Sequence, residues 1–156
     1  MTSTGARRGP APLVIGCGNA DRGDDAAGLL VVRRLRELGV EAQAQSGEAT
    51  ALLGVFESAP ASQRVIVVDA MVTGSPPGSV IFWDAGAARL SREAFRCSTH
   101  TLGVAEAVEL ARALGKLPPQ LGIYGIEGAG FEAGAQPSPE VLRAVEELAQ
   151  RIAREV

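Results

Sequence analysis

The stretch LVIGCGNADRGDDAAGLLVVRRLREL, residues 13–38, decides the fold class. Its first five residues, Leu13–Cys17, show no alternation of apolar and polar side chains, which is typical of a strand buried on both faces of a parallel sheet. From Asp24 to Leu38 the apolar residues are spaced as on one face of a helix, and Gly39 follows in the position of a helix-ending glycine. A buried strand that leads directly into a helix is the opening unit of an α/β fold.

The same alternation continues along the chain. Further strands are predicted at 40–44, 64–69, 79–83 and 121–126, and further helices at 48–58, at 102–114 and from Ser138-Pro139 onward. The strand at 79–83 leaves a turn rich in glycine and proline and is predicted to be an antiparallel edge, while residues 85–99 are predicted to be a loop with a short helical piece.

These elements predict a three-layer α/β sandwich. Its sheet is expected to be twisted and mostly parallel, with about five strands, helices on both faces and one antiparallel edge strand. We expect a single domain over residues 1–156, with residues 1–10 disordered.

Composition limits the possible functions. Of the 156 residues, 46% are hydrophobic and 21% are charged, as in ordinary globular proteins. The formal net charge of -3 argues against nucleic acid or an anionic membrane as a partner. Two cysteines are too few for a disulfide scaffold, residues 1–10 lack the apolar core of a signal peptide, and no run approaches the roughly 20 apolar residues of a membrane span. We therefore expect a cytoplasmic protein.

Three residues stand out as candidates for a functional site. His100 is the single histidine of the chain, Asp25 follows the first strand, and Asp69 closes the strand predicted at 64–69. Two carboxylates and one imidazole suit a borderline divalent cation such as nickel or zinc and leave room for outside ligands. Ligands of α/β folds gather at the carboxyl ends of strands, so the two acids converge on one crevice if their strands are neighbours in the sheet.

The acidic turn, residues 16–25, has competing interpretations. Gly16-Cys17-Gly18 after a strand is similar to the start of a dinucleotide-binding loop, but the third glycine of that motif would fall on Asp21. Three carboxylates would then crowd the position of a pyrophosphate. Asp24 is better explained as a first-turn acid that complements a helix dipole, whereas for Asp25 that role and a functional role both stay open.

Four other polar residues have weaker signals. Cys97 lies three residues before His100, so a cysteine nucleophile or a Cys/His metal site is an open alternative. Cys17 is expected to be a small packing residue. Glu48 and Glu127 lie near predicted strand ends and could line the same crevice, although surface exposure is the simpler expectation.

Taken in order, these segments resemble the hydrogenase maturation endopeptidases, which process the large subunit of nickel–iron hydrogenases. The turn from Gly16 to Asp25 is similar to the opening signature of that family, Val67–Ala70 to its second acidic site, and His100–Glu106 to its histidine segment. Leu117–Pro119 and Tyr124–Glu127 follow in the expected order. The similarity extends over nearly the whole chain.

A few positions depart from the family pattern. Asp21 replaces a common apolar residue, Ala26 a common glycine, and Thr99 a proline that often precedes the histidine. Gln45–Glu48 replaces a glycine-threonine segment. None of these changes removes a proposed ligand, but they bear on which hydrogenase is the partner.

The resemblance implies an aspartyl-type endopeptidase with no serine or cysteine nucleophile. It implies that Asp25, Asp69 and His100 are the catalytic residues and the metal-contacting residues. It further implies that the nickel they contact belongs to the substrate, the precursor of a hydrogenase large subunit, and that the protease does not hold this nickel tightly. The reaction would remove a C-terminal extension from that precursor, and we expect the protease to be a monomer or a weak homo-oligomer.

Two alternatives stay open. A non-catalytic nickel-sensing chaperone or checkpoint protein would bind the same precursor without cutting it. A hydrolase that uses its own zinc would hold metal in stoichiometric amounts.

Overall fold

The computed structural model describes residues 10–95 and 102–156, which form a three-layer α/β structure. The strands of the described ranges are β1 (Leu13–Cys17), β2 (Gln43–Gln45), β3 (Val65–Met71), β4 (Val80–Asp84) and β5 (Leu121–Glu127). The helices of the same ranges are α1 (Ala27–Glu37), α2 (Ala49–Ser58), α3 (Val104–Ala113) and α4 (Pro139–Glu155). A short 3-10 turn, Gly23–Ala26, connects β1 to α1.

The strands form one sheet in the order β2-β1-β3-β5-β4. The pairs β1–β2, β1–β3 and β3–β5 are parallel, and β4 pairs antiparallel with β5 at the edge. This topology confirms the predicted mostly parallel sheet with one antiparallel edge strand. It also places β1 next to β3, which was the condition for bringing their two acids together.

The helices cover both faces of the sheet. Core residues of α1 and α4, such as Val31 and Leu148, pack with one set of strand side chains, and core residues of α2 and α3, such as Phe56 and Val108, pack with the other. All seven residues of β3 and of β5 are buried. Continuous burial of this kind is expected for central strands that carry helices on both faces.

Several boundaries differ from the prediction by one to three residues, and three of these differences have a clear physical reason. The helix expected from Asp24 begins at Ala27, because Gly23–Ala26 form the 3-10 turn. The strand expected at 40–44 is β2 at Gln43–Gln45, because the Val40 N–H is used to close α1 through the Leu35 carbonyl, at 2.9 Å. Strand β3 continues past Asp69 to Met71, because β5 pairs with it as far as Glu127.

The region predicted as a loop with a short helical piece contains turns and no helix over residues 85–95. Residues 96–99 of that prediction lie outside the described ranges. No helix within the described part of the chain is long and apolar enough to span a membrane.

Candidate functional site

The site lies where β1 and β3 end at their carboxyl-terminal residues, which form the carboxyl edge of the sheet. Gly16 pairs with Val68 in the parallel register, so Cys17 lies beside Asp69 one step further along. Cys17 belongs to the core cluster on the α2–α3 face, as do Val67 and Met71, which flank Asp69 in alternation along β3. Because residues two apart in a strand share a face, Asp69 and Cys17 lie on the same side of the sheet.

Asp25 reaches this edge because the chain turns back sharply after β1. The Asn19 N–H donates to the Asp25 carbonyl at 3.2 Å, and the Asp25 N–H donates to the Arg22 carbonyl at 3.0 Å. Gly18 has φ 150°, and a Cβ there would collide with the Asp25 carbonyl oxygen. A glycine is therefore required for the return of the acidic turn over the end of β1.

Asp25 is 3% exposed, and its side chain forms an ion pair with Arg22. The Arg22 Nη1 atom lies 3.2 Å from Asp25 Oδ2. Arg22 is itself only partly exposed, at 23% of its side chain. A guanidinium this close favours the ionised form of a carboxylate. Asp25 thus brings a negative charge to the buried edge of the sheet.

Asp69 is 4% exposed, and within the described part of the chain it accepts one hydrogen bond, from the Ala70 N–H to Oδ1 at 2.9 Å. Burial raises the pKa of Asp69 well above its ordinary value, and the charge of Asp25 raises it further, while the Ala70 hydrogen bond acts in the opposite direction. Asp69 therefore retains its proton at pH values at which an exposed aspartate is ionised. Two neighbouring carboxyl groups in such different surroundings are suited to acid and base roles.

Cys17 is fully buried, and it lies near enough to both acids for their charges to act on its thiol. Burial raises the pKa of its thiol well above the ordinary value, and the charges of Asp69 and Asp25 add to that increase. A protonated, buried thiol is a poor nucleophile. The structure thereby confirms the prediction that Cys17 is a packing residue.

Asp24 anchors a distant loop. It is 1% exposed and accepts hydrogen bonds from the N–H groups of Ala129 (2.7 Å), Gly130 (3.2 Å) and Ser138 (2.7 Å), and from the Ser138 hydroxyl at 3.0 and 2.9 Å. The role is structural, as predicted, and these long-range hydrogen bonds add an anchoring role to the predicted place of Asp24 in a first helical turn. The Ser138 hydroxyl, at the N-cap of α4, makes no hydrogen bond to that helix.

Glu127 has a similar structural role. It is 2% exposed and accepts hydrogen bonds from the N–H of Thr73 at 3.0 Å and from its hydroxyl, which fixes the connection between β3 and β4. The expectation of surface exposure is therefore wrong for Glu127, because the register of β3 and β5 places it opposite Met71. Glu48 is exposed, as expected, at the start of α2.

The third proposed ligand, His100, and also Cys97, lie outside the described residues. The described residues on either side of that segment are tied to the carboxyl edge. The Val72 N–H donates to the Ala94 carbonyl at 2.7 Å, and the Ala49 N–H donates to the Leu102 carbonyl at 3.0 Å. Among the described residues, no group of three or more His, Cys, Asp and Glu side chains is placed to hold a metal ion.

Fold and site together define a class: a three-layer α/β protein with a buried pair of carboxyl groups, in contrasting surroundings, at the carboxyl edge of adjacent parallel strands. Comparison with known families identifies the family within this class. The model of the HycI family, hydrogenase maturation protease, matches residues 47–155, and the chain belongs to that family of peptidases.

Solved structures agree with this assignment. HycI, a [NiFe] hydrogenase maturation protease from Thermococcus kodakarensis KOD1, is 26% identical with a TM-score of 0.69, and the match covers 92% of this chain and 91% of that one. HybD from Thermococcus kodakarensis is 25% identical with a TM-score of 0.65, over 92% and 96% of the two chains.

The endopeptidase HycI from Escherichia coli shares the fold at 22% identity, with a TM-score of 0.71 over 92% of this chain and 90% of that one. A search of curated proteins found no significant match.

Sequence reasoning missed the anchor role of Asp24 and the burial of Glu127. Both acids bond to residues far away in the chain, 105 or more positions for Asp24 and 54 for Glu127. The glycines and prolines of residues 128–139 were the available signal that a long connection has to be held in place there.

Proposed function

We propose that this protein is the endopeptidase that removes a C-terminal extension from the nickel-loaded precursor of a nickel–iron hydrogenase large subunit. The observation that carries the proposal is the buried pair of Asp25 and Asp69 at the edge of β1 and β3, in a chain that belongs to the hydrogenase maturation proteases. Asp69 is held in β3 and Asp25 in the short turn that returns over the end of β1, so the fold positions both acids before the substrate arrives.

In this proposal, Asp25, Asp69 and His100 contact the nickel of the precursor. In the free protein, burial raises the pKa of Asp69, and the charge of Asp25 raises it further, so ionisation of Asp69 is opposed. A divalent cation would reverse this local balance, because it favours the ionised form of both carboxyl groups. Docking of a nickel-loaded precursor is therefore favoured over docking of an empty one.

Two observations support the inclusion of His100 in the proposed set. It is the single imidazole of the chain, and described residues on either side of its segment, Ala94 and Leu102, accept hydrogen bonds from Val72 after β3 and from Ala49 at the start of α2. An imidazole and two carboxylates are nickel-compatible ligands, and three of them leave positions open for ligands from the substrate.

The test uses one precursor in two states, purified from nickel-starved cells and loaded with nickel. The large subunit should shorten, as measured by its mass, after incubation of the loaded precursor with the protein, and it should stay intact in the nickel-free state. Asp25→Asn should weaken this preference. Asp21→Asn is the matched control, because Asp21 is an exposed acid of the same turn.

Equal rates on the two precursor states would contradict the nickel gate and favour ordinary sequence-directed proteolysis. Binding of the loaded precursor without any shortening would instead favour the nickel-sensing checkpoint protein. Stoichiometric zinc in the purified protein, with cleavage that depends on it, would favour a zinc hydrolase.

A further inference from the structure

Arg22 is a cation placed at a proposed cation-binding site. Its Nη1 atom lies 3.2 Å from Asp25 Oδ2, and 23% of its side chain is exposed, compared with 4% of the Asp25 side chain. The pair joins a partly exposed cation to a buried anion, and that anion is the carboxylate proposed to contact the nickel of the precursor. A resident positive charge and an incoming divalent cation therefore compete for Asp25.

The backbone of the acidic turn holds this arginine in place. The Arg22 N–H donates to the Asn19 carbonyl at 3.3 Å, and the Arg22 carbonyl accepts a hydrogen bond from the Asp25 N–H at 3.0 Å. Gly23, at φ 55°, follows directly, and a Cβ there would lie 2.5 Å from the Gly130 carbonyl oxygen. The turn is thus closed on both sides of Arg22, and its side chain stays within reach of Asp25.

This ion pair differs from those on the surface of the molecule. Arg34 and Glu146 approach to 2.7 Å, but 33% and 49% of their side chains are exposed. Water and salt screen such a pair, so it contributes little to stability. The acid of the Arg22–Asp25 pair is buried, so the guanidinium is screened less and acts more strongly on a charge that approaches Asp25.

The electrostatic consequence is a weaker site for free cations. A divalent cation is attracted to Asp25 by the net charge that surrounds it, and the Arg22 guanidinium offsets the charge of that carboxylate. A hydrated ion has to overcome this opposition through its ligands alone. Nickel carried by the precursor arrives with the contacts of a whole protein surface, which make its encounter with Asp25 effectively intramolecular.

We infer that Arg22 is a specificity-determining residue: its guanidinium neutralises Asp25 in the free protein and keeps free divalent cations from occupying the site before the precursor arrives. The inference rests on the proposed function for the identity of the precursor, whereas the competition of charges belongs to this chain alone. Without the charge of Arg22, a free ion becomes a competitor of the precursor.

The experiment uses the full chain without an affinity tag, and Ni²⁺ alone as the probe. Arg22→Gln removes the positive charge and keeps a hydrogen-bond donor for Asp25, whereas Arg22→Lys keeps the charge. Arg33→Gln is the matched control, because it makes the same change of net charge at an arginine of α1 whose side chain is 79% exposed. The Kd for Ni²⁺ is measured by calorimetry, and Tm is measured for each variant.

We expect Arg22→Gln to lower the Kd for Ni²⁺ roughly tenfold, because a full charge beside the bound ion is removed. Arg22→Lys and Arg33→Gln should stay within about twofold of the unmodified protein. Adding Asp25→Asn to Arg22→Gln should abolish the gain, since the ion binds at Asp25. With nickel-loaded precursor as substrate, free Ni²⁺ should half-inhibit Arg22→Gln at a roughly tenfold lower concentration than the unmodified protein.

An unchanged or higher Kd in Arg22→Gln would overturn the inference. An equal gain in Arg22→Lys or Arg33→Gln, or a gain that persists with Asp25→Asn, would overturn it as well. Free Ni²⁺ that inhibits Arg22→Gln and the unmodified protein at the same concentration would remove the role in specificity.

Arg22→Met is the second variant that removes the charge, in case Arg22→Gln does not fold, and the same decrease in Kd is expected. If neither variant folds, Arg22 is a structural counter-ion and the inference is wrong. If the unmodified protein does not shorten the precursor, the proposed function fails, and the Kd comparison with Ni²⁺ alone still decides the role of Arg22.

Discussion

Asp24 and Asp69 are both buried carboxyl groups at the same edge of the sheet, yet their surroundings differ. Asp24, at 1% exposure, accepts hydrogen bonds from three backbone N–H groups and one hydroxyl. Asp69, at 4% exposure, accepts one hydrogen bond within the described part of the chain, and its pKa is raised by burial and by Asp25. We expect the partners of a buried acid, more than its burial, to separate a structural role from a chemical one.

The sharpest test of this comparison is Asp69→Asn, which removes the ionisable group while nearly preserving its shape. We expect processing of the nickel-loaded precursor to fall about 10³-fold, the scale of a lost acid–base group. The measurement is the rate at which the large subunit shortens. Tm should not fall, because the variant loses no network of hydrogen bonds.

An Asp69→Asn protein that processes the precursor at the normal rate would remove Asp69 from the chemistry. A large fall in Tm would instead make Asp69 a structural acid like Asp24.

The contrast between these acids illustrates which features of the fold and site can be predicted from the sequence alone. The burial of Leu13–Cys17 follows from its continuous apolar pattern, and the position of Asp69 after Val65–Val68 follows from the same physics. Both are local properties, so one chain segment suffices to predict them. The order of the strands is a property of the whole sheet, so the adjacency of β1 and β3 could only be assumed from the sequence.

The partners of Asp24 could not be predicted for the same reason. Its donors come from residues 129–138, more than a hundred positions away, and the choice among them depends on where α4 packs. The first turn of a helix is a common position for an acid, so the local pattern favoured the dipole explanation. The structure adds a long-range anchor to that local role.

A second prediction concerns this anchor. Asp24→Asn should reduce the free energy of unfolding by about 3 kcal/mol, because a charged acceptor is lost and buried N–H groups are left poorly matched. Ser138→Ala should reduce it by about 1 kcal/mol, since it removes one hydroxyl donor and leaves the carboxylate in place. Both values are measured by urea unfolding.

Asp84→Asn is the matched control, because Asp84 is an exposed acid on the edge strand β4, and it should change stability little. An Asp24→Asn protein as stable as the unmodified chain would mean that the loop 129–138 is held by its backbone hydrogen bonds to the acidic turn alone.

The third prediction uses pH to separate the two acids. A carboxyl group whose pKa is raised by folding contributes stability below its unfolded pKa of about 3.9, and this contribution is lost as pH rises through the folded pKa. Asparagine does not titrate. The Tm of Asp69→Asn minus the Tm of the unmodified protein should therefore increase as the pH is raised from about 4 toward neutrality.

A Tm difference that stays constant over this range would contradict the raised pKa of Asp69. A difference that shrinks as pH rises would mean that folding lowers the pKa of Asp69, so that its surroundings stabilise the ionised form.

The smallest expected effect is that of Cys97→Ser. The open alternative from the sequence was a cysteine nucleophile assisted by His100, and the other thiol of the chain, Cys17, is buried with a raised pKa and is unsuited to that role. If the two carboxyl groups and the histidine carry the reaction, no thiol is required, and processing by Cys97→Ser should stay within about twofold of the unmodified rate. If Cys97→Ser no longer shortens the large subunit while its Tm is unchanged, this conclusion is reversed. The thiol would then be the reacting group, and Asp25 and Asp69 would only surround it.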